Sequence, residues 1–552
     1  MTVNITFPSG IRKRFPTGTP VKNIIADSGF INMPYPLVAV KVNNDIASLT
    51  YRLEVNSRLT PVFLNSREGA DIYRRSLCFL LTIAARELFP EQRLVIGHSL
   101  GNGYFYYFVG KKEVESSDLK LLKEKMAEIV GADLPIRRRV ISYKEAVAFF
   151  KRNNQPDTRL LLEHRNEPKI PVYECGSFLD LAHAPLAPRT GILKIFEIRK
   201  YASGFLLRYP DHDRPDHITA FQDNSTLFSI YREYKNWGCI LKINCVGSLN
   251  ALINKGEIRE FIQVAEALHD KKIAQIADQI CEKKEFIRLI LIAGPSSSGK
   301  TTFSKKLAIQ LKVLGRNPAT ISLDDYFVSR ELTPRDQDGN YDFEALETID
   351  IELLNNHLLK LFNGEEVSMP VFNFHTGRRR SKGVQMKLPQ RSVLILEGIH
   401  ALNDRLTPLI NRENKYKIYV SALTQLNLDD HNRIPTTDNR LVRRLVRDHQ
   451  FRGHSALDTF SLWESVRRGE ARNIFPFQDS ADSAFNSALD YELAVLKVLA
   501  EPLLINVKPD SPYFHEARRL SSFLSNFKHI PLSWVPEHSI LREFIGESGF
   551  KY

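Results

Sequence analysis

Residues Gly294-Pro295-Ser296-Ser297-Ser298-Gly299-Lys300-Thr301 fit the pattern G-x-x-x-x-G-K-[ST] at every fixed position. The chemistry that suits this spacing is the holding of a polyphosphate. Glycines at both ends let the backbone curl until successive N–H groups point at phosphate oxygens. Lys300 would reach the β- and γ-phosphates, and the Thr301 hydroxyl would ligate Mg2+. Three stretches further on supply groups that transfer of such a phosphate needs. "ATISLDDYF" (319–327) carries the paired carboxylates Asp324 and Asp325, and a carboxylate there can take the proton of an attacking hydroxyl. "RSVLILEGIH" (391–400) ends its apolar run at Glu397, suitably placed to hold Mg2+ or its water. "DNRLVRRLVRDHQFRG" (438–453) sets Arg440, Arg443, Arg444 and Arg447 at i, i+3, i+4 and i+7, one face of a helix. Like charges so spaced repel by roughly 0.2–0.5 kcal/mol per pair unless an anion sits among them. A solvated charged face is the alternative; downstream of a phosphate loop, a lid closing on phosphate is the better reading.

The elements that must position these groups can be read from periodicity. Residues 287–293 form a short apolar run, the pattern of a buried strand, and 302–314 show helical spacing that ends at Gly315. Strand, glycine loop and helix in that order place a helix's positive end at the phosphates. The runs before Asp324 and Glu397 read as further buried strands of one parallel sheet, each delivering its acidic residue beside the loop.

With these motifs in place, residues 286–500 resemble the uridine kinase and phosphoribulokinase family of P-loop kinases. The matching stretches are GPSSSGKT, SLDDYF, NYDFEALE, MPVFNFHTGRR, LILEGIH and TDNRLVRRLVRD. The resemblance implies ATP and Mg2+ as cofactors and Asp324 as catalytic base, with Lys300, Arg440 and Arg444 acting on the transferred group. ATP would be held by Gly294 to Thr302, with Ser296, Ser297, Ser298, Thr301, Arg443 and Arg447 among its contacts. Asp342 would bind the acceptor's ribose, beside Phe327, Phe372, Phe374, His375, Arg378 and Arg440. Thr301 and Glu397 would serve the metal. The departures fall on the acceptor side. Phe327 and Phe372 stand where the family usually has tyrosines, and its base-reading histidine falls near Gly377, with His375 displaced. Ring faces are kept while hydrogen-bond donors are lost, so stacking survives and base discrimination weakens.

At 552 residues the chain needs several domains. A hydrophobic fraction of 43% and a charged fraction of 25% are ordinary for a soluble globular protein. No signal-peptide core or bilayer-length apolar run is visible, and the five cysteines form no CxxC pair. A cytoplasmic setting without disulfide framework or zinc ribbon is expected. The net charge of +12 fits a polyanionic partner, which nucleotide or RNA satisfies equally.

Residues 1–62 read as a β-rich unit: a hairpin around Pro8-Ser9-Gly10, a short helix from Thr19 to Gly29, and the strands "LVAVKVNN" and "ASLTYRLE". This resembles the TGS domain, a ubiquitin-like module. Residues 63–225 resemble the α+β editing domain of threonyl-tRNA synthetases, through "RRSLCFLLTIAARELFPEQRLVIGHSLGNGYFYYF" (74–108) and "YECGSFLDLAHAPLAPRTG" (173–191). The family's two motif pairs of histidine and cysteine are replaced here by Arg75, Phe79, Ala182 and Leu186, none of which binds zinc. His98 and His183 survive nearby. The implication is a retained fold without editing chemistry, its cleft open to a nucleotide, an RNA or tRNA, or a protein segment; a scaffold or dimerisation role has equal weight. Residues 226–285 read as a helical connector, and 501–552 as a strand followed by a helix.

The expectation is thus an α/β protein whose carboxy-terminal P-loop domain transfers the ATP γ-phosphoryl group to a nucleoside 5′-hydroxyl. Another small hydroxylated acceptor is the runner-up. An ATP-switched RNA- or ribosome-binding regulator is the reading from a different class, disfavoured because a switch needs no acceptor base. No membrane partner is expected, and an oligomer is compatible.

Overall fold

The structure, a computed structural model, describes residues 1–26, 34–335, 339, 341–373 and 376–551. The chain falls into two compact units. The first comprises Met1–Gly256, Gln425–Ile434 and Glu501–Lys528; the second comprises Glu257–Thr424, Pro435–Ala500 and His529–Tyr552.

The first unit opens on a five-stranded sheet in the order Arg12–Pro16, Thr2–Thr6, Ser57–Phe63, Leu37–Val42, Asp45–Ala47. Alternation in Thr2–Thr6 turns Val3 and Ile5 onto the helix Val21–Ala26, where they pack with Ile24, Ile25, Val40 and Leu59. Gly29, the expected end of that helix, lies outside the described residues. A long helix, Arg67–Leu88, follows, its first turn capped by Ser66, whose Oγ accepts from the Gly69 amide at 3.1 Å. It buries Ile72, Leu77, Leu80 and Leu81 in one core with the antiparallel sheet of Glu197–Tyr201, Gly204–Arg208, Gly103–Phe108 and Leu94–Ser99.

The second unit is built on a wholly parallel sheet in the order Asn317–Ser322, Ser392–Glu397, Leu289–Ala293, Lys415–Ser421, Ser483–Asn486. Leu289–Ala293 is central and entirely buried, which is why it reads as an unbroken apolar run. The order reverses around it: the chain runs first to strands on one side, then to those on the other. A crevice therefore opens at the strands' carboxyl ends, where ligands of such sheets sit. The helix Lys300–Val313 leaves from that crevice.

One expectation is corrected. The run "PLLINV" after residue 501 does not open a strand: residues 502–505 finish the helix Glu492–Ile505, with Pro502 inside it. A short apolar run does not by itself distinguish strand from helix, and here the Ala- and Leu-rich turns before it carry helical structure through. The remainder divides. The helix Phe514–Leu524 belongs to the first unit, while residues 529–552, with the short helix Arg542–Ile545, belong to the second.

Candidate active site

The phosphate loop follows the central strand directly. Ser297 and Gly299 both take positive φ, +58° and +80°, so the backbone turns its amides inward as an anion-binding concavity requires. Gly294 has a second reason to be glycine, since a Cβ there would meet the Val420 carbonyl oxygen at 2.0 Å. The hydroxyls of Ser297 and Ser298 are buried and find no hydrogen-bond partner among the described residues. Among the described residues, Lys300 Nζ has only a long 3.3 Å bond to the Pro295 carbonyl.

Neighbouring strands bring the acids to this loop. Glu397 ends the strand beside Leu289–Ala293, in register with Ile292 on one side and Ser322 on the other. Its carboxylate accepts from Thr301 Oγ1 at 3.2 Å. Burial pushes the Glu397 pKa up to about 7, Asp324 and Glu543 add to that push, and Lys300 opposes it. A partly buried hydroxyl–carboxylate pair is a donor set that fits a hard divalent cation.

Asp324 lies in the one-turn helix Leu323–Tyr326, just past the edge strand. It is reached by solvent yet surrounded by protein, and this enclosure raises its pKa, while Lys300, Arg452 and Arg447 pull it back. Asp325 turns elsewhere, accepting from the Phe372 amide at 3.2 Å. The two adjacent carboxylates are thus distinguished: one faces the cations, the other fixes a backbone.

The arginine helix is Thr436–Arg452. Its charge is matched only in part within the chain, because Asp448 is shared by Arg444, Arg447 and Arg452. Arg440, 2% exposed, donates to the Ser296 carbonyl at 2.9 Å and pairs with Glu470, and Glu470 also accepts from the Ser296 amide at 2.8 Å. Arg443, fully buried, pairs with Glu492 at 2.5 Å and donates to the Ser297 carbonyl at 3.3 Å. Arg444 donates to Ser296 Oγ at 2.8 Å, and Arg447 pairs with Asp448 at 2.7 Å. Arg440 and Arg443 therefore brace the outside of the phosphate loop, whereas Arg447 lends its charge to Asp324.

On the acceptor side, Asp342 meets Arg472 at 3.3 Å and caps the Glu344 amide at 3.2 Å. The Phe327 and Phe372 rings meet edge-on at 5.6 Å. Arg378 is exposed and pairs with Glu331 at 2.6 Å. Phe374 and His375 lie outside the described residues.

Residues that sequence reasoning missed are Glu344, Glu470, Glu492, Arg452 and Glu543. Glu344 feels Glu470, Arg444, Asp324 and Lys300; burial and the like charges raise its pKa to about 7. Arg452 carried a faint signal at the end of the arginine run, but it breaks the i, i+3, i+4 spacing. The others carried none, being far away in sequence.

In the first unit, Phe79 and Leu186 sit in the apolar core and Ala182 packs against it, while Arg75 is half-buried and donates to the Pro185 carbonyl at 3.3 Å. Phe79 packs on Phe178 with ring centroids 5.5 Å apart, and Leu186 is 2% exposed. His98 and His183 are engaged by the chain itself: Arg433 reaches His98 Nδ1 at 3.3 Å, and Asp429 meets His183 Nε2 at 3.0 Å. Both partners come from the segment 425–434. Burial, then Arg433, holds the His98 pKa well below its usual range.

Residues 289–494 match the model of the Phosphoribulokinase / Uridine kinase family. Among curated proteins, threonine–tRNA ligases match the amino-terminal part. The ligase of Janthinobacterium sp. (strain Marseille) is 32% identical over 204 residues, 37% of this chain and 32% of that protein. The ligase of Alkalilimnicola ehrlichii is 31% identical over 226 residues, 40% of this chain and 35% of that protein. The chain thus spans about a third of the length of the curated relatives it matches. Among solved structures, one described as a possible uridine kinase from Bacillus stearothermophilus is similar at 19% identity and a TM-score of 0.28. That match covers 39% of this chain and 98% of that one. D-glycerate 3-kinase from Cryptococcus neoformans var. grubii is similar at 15% identity and a TM-score of 0.19, over 49% and 87%. Residues 289–494 are thus similar to a family of P-loop kinases, and the amino-terminal part is similar to part of threonine–tRNA ligases. Among the described residues no helix is long and apolar enough to cross a membrane.

Proposed function

We propose that this chain is an ATP-dependent kinase that phosphorylates the 5′-hydroxyl of a nucleoside. The observation that supports it most is the convergence of three groups around one phosphate loop: Lys300, the Thr301–Glu397 pair and the carboxylate of Asp324. The match of residues 289–494 to a family of small-molecule kinases supports the same reading. Mg-ATP, when bound, supplies the transferable phosphoryl group and a cation that neutralises charge developing on it. Thr301 and Glu397 would hold that cation, and the inward amides of the loop would hold the phosphates. Asp324 would accept the proton of the attacking hydroxyl, its basicity raised by enclosure and opposed by Lys300, Arg452 and Arg447. Arg444 would face the phosphate chain from the loop's rim. Asp342 would accept from ribose hydroxyls, with Phe327 and Phe372 offering ring faces to the base.

A different small hydroxylated acceptor is the second reading, favoured by one feature: Phe327 and Phe372 present no hydrogen-bond donor with which to read a base. Purified full chain with Mg-ATP and single nucleosides, assayed for ADP release and for the phosphorylated product, tests both. Product from a nucleoside supports the first reading; ADP release only with other polyols supports the second. The front half is proposed to contact RNA or tRNA, on its likeness to part of threonine–tRNA ligases.

A further inference from the structure

The helix that follows the phosphate loop already holds an anion at its amino terminus. Thr302 is fully buried, and its amide donates to Glu543 Oε2 at 3.0 Å while its hydroxyl donates to the same oxygen at 2.7 Å. Glu543 comes from residues 529–552, beyond the stretch that matches the kinase family. Its position is set by packing. Ile540, Leu541, Phe544 and Ile545 are buried, and Ile540 presses on Gly299 so closely that a Cβ there would stand 2.6 Å from it. The Lys306 ammonium donates to the His538 carbonyl at 3.0 Å, and Arg443 lies 4.9 Å over the Phe544 ring. Arg542 ties the turn together through the Val535 carbonyl at 2.7 Å. The tail is therefore a docked part of the loop's surroundings, carrying one carboxylate to one amide.

That amide matters. In a loop of this form the N–H groups running into the first helical turn are those that bind a nucleotide's phosphates. Glu543 offers them a charge-assisted bond of the same kind a phosphate oxygen would make. Two anions cannot share one donor at 3 Å in so enclosed a place, and Glu397, close enough for its pKa to be raised by Glu543, adds a further negative charge. We propose that Glu543 is an intramolecular stand-in for a nucleotide phosphate, so that the carboxy-terminal tail gates the donor site. The side chain swings off Thr302 when nucleotide enters and returns when it leaves, while the apolar residues around it keep the tail docked. This rests on the donor-site reading of the phosphate loop.

A site closed by its own side chain binds ligand with an affinity reduced by the open fraction. Full-length protein and the variants Glu543→Gln and Glu543→Ala are titrated with ATP and with adenosine, and thermal unfolding is followed with and without saturating ATP. The expected result is ATP affinity tightened by about tenfold in Glu543→Ala and by less in Glu543→Gln, whose amide oxygen still accepts from Thr302. Adenosine affinity stays the same in all three, because it has no phosphate to compete. The apo form of Glu543→Ala melts no higher than wild type, yet gains more from ATP. Equal or weaker ATP binding by a folded Glu543→Ala overturns the gate while leaving the donor site standing. Failure of all three folded proteins to bind ATP overturns the donor-site reading, and the gate falls with it.

Discussion

Lys300 and Asp324 are the residues whose removal separates chemistry from structure most cleanly. Among the described residues Lys300 makes a single long bond to a carbonyl, so Lys300→Ala is expected to leave the fold intact. The expected outcome is loss of phosphotransfer by roughly 10³-fold, since a fixed cation at the transferred group is among the larger contributions in this chemistry. Unchanged circular dichroism with turnover near wild type would sink the site. Asp324→Asn is expected to lower turnover by roughly 10²-fold or more while ATP affinity holds. An affinity loss at constant rate would move Asp324 to the metal side. Glu344 permits a pH test. Its folded pKa of about 7 exceeds the ordinary carboxyl value near 4.5, because burial and nearby Glu470 disfavour its charged form. The folded state therefore holds a proton that the unfolded state releases between those values, and stability falls as pH rises through that window. Glu344→Gln should flatten the melting temperature between about pH 4.5 and about pH 7 relative to wild type. An unchanged slope would show that Glu344 does not hold that proton. The placement of Lys300, Thr301, Asp324 and Glu397 around one point was legible because each sits in or just after a strand-end motif. Glu344 was not, because its chemistry arises only when Gly469 lets the helix Ala456–Asn473 approach it, a Cβ there standing 2.3 Å from Glu344 Cβ.

At the scale of elements, the arginine helix shows what a periodic pattern can and cannot say. Spacing placed Arg440, Arg443, Arg444 and Arg447 on one helix, and the structure brings that face to the phosphate loop. It did not reveal that the anions among them are Glu470, Glu492 and Asp448, two of them from other helices. Buried strands read clearly where both faces are covered, as in Leu289–Ala293, and failed at residues 502–505, where a helix ends in an equally apolar run. The Arg443–Glu492 pair is 0% and 2% exposed, so removing one partner strands the other charge in a dry place. Glu492→Ala is expected to cost about 3–5 kcal/mol. Because Arg443 also holds the Ser297 carbonyl, the same variant should loosen the phosphate loop and weaken ATP binding. Urea unfolding of the full chain, with an ATP titration beside it, checks both; a shift below about 1 kcal/mol would mean the pair is solvated.

At the scale of the whole molecule, the first unit is not a continuous stretch of chain, and this bears on what its editing-like motifs can do. Residues 425–434 follow the strand Lys415–Ser421 in sequence yet complete the unit begun by Met1–Gly256. Asp430, fully buried, accepts from the Thr158 amide at 2.9 Å, its hydroxyl at 3.0 Å and Arg93 at 2.6 Å. His431 meets Asp180 at 2.6 Å; burial opposes its charge, but Asp180, Asp430 and Asp429 raise its pKa above the usual range. With Asp429 on His183 and Arg433 on His98, the two histidines that survive from the editing-like motifs are engaged by a segment of the same chain. No property of residues 1–225 taken alone announces this, because the partners lie some 200 residues later. The expected outcome is that the full chain does not deacylate mischarged tRNA, whether or not zinc is supplied. Releasing the segment should cost stability without creating activity. Asp430→Ala leaves Thr158 and part of Arg93 unpaired in a buried place, and should lower stability by about 3 kcal/mol or more. A truncated chain ending at Gly256 lacks the segment and should melt lower still, or aggregate through the surface it uncovers. Thermal melts of the full chain, the Asp430→Ala variant and the truncation, run beside a deacylation assay on each, give the comparison. Deacylation by the full chain that disappears in His98→Ala or His183→Ala would mean that these motifs work with the segment in place, and the front half would then be an enzyme in its own right.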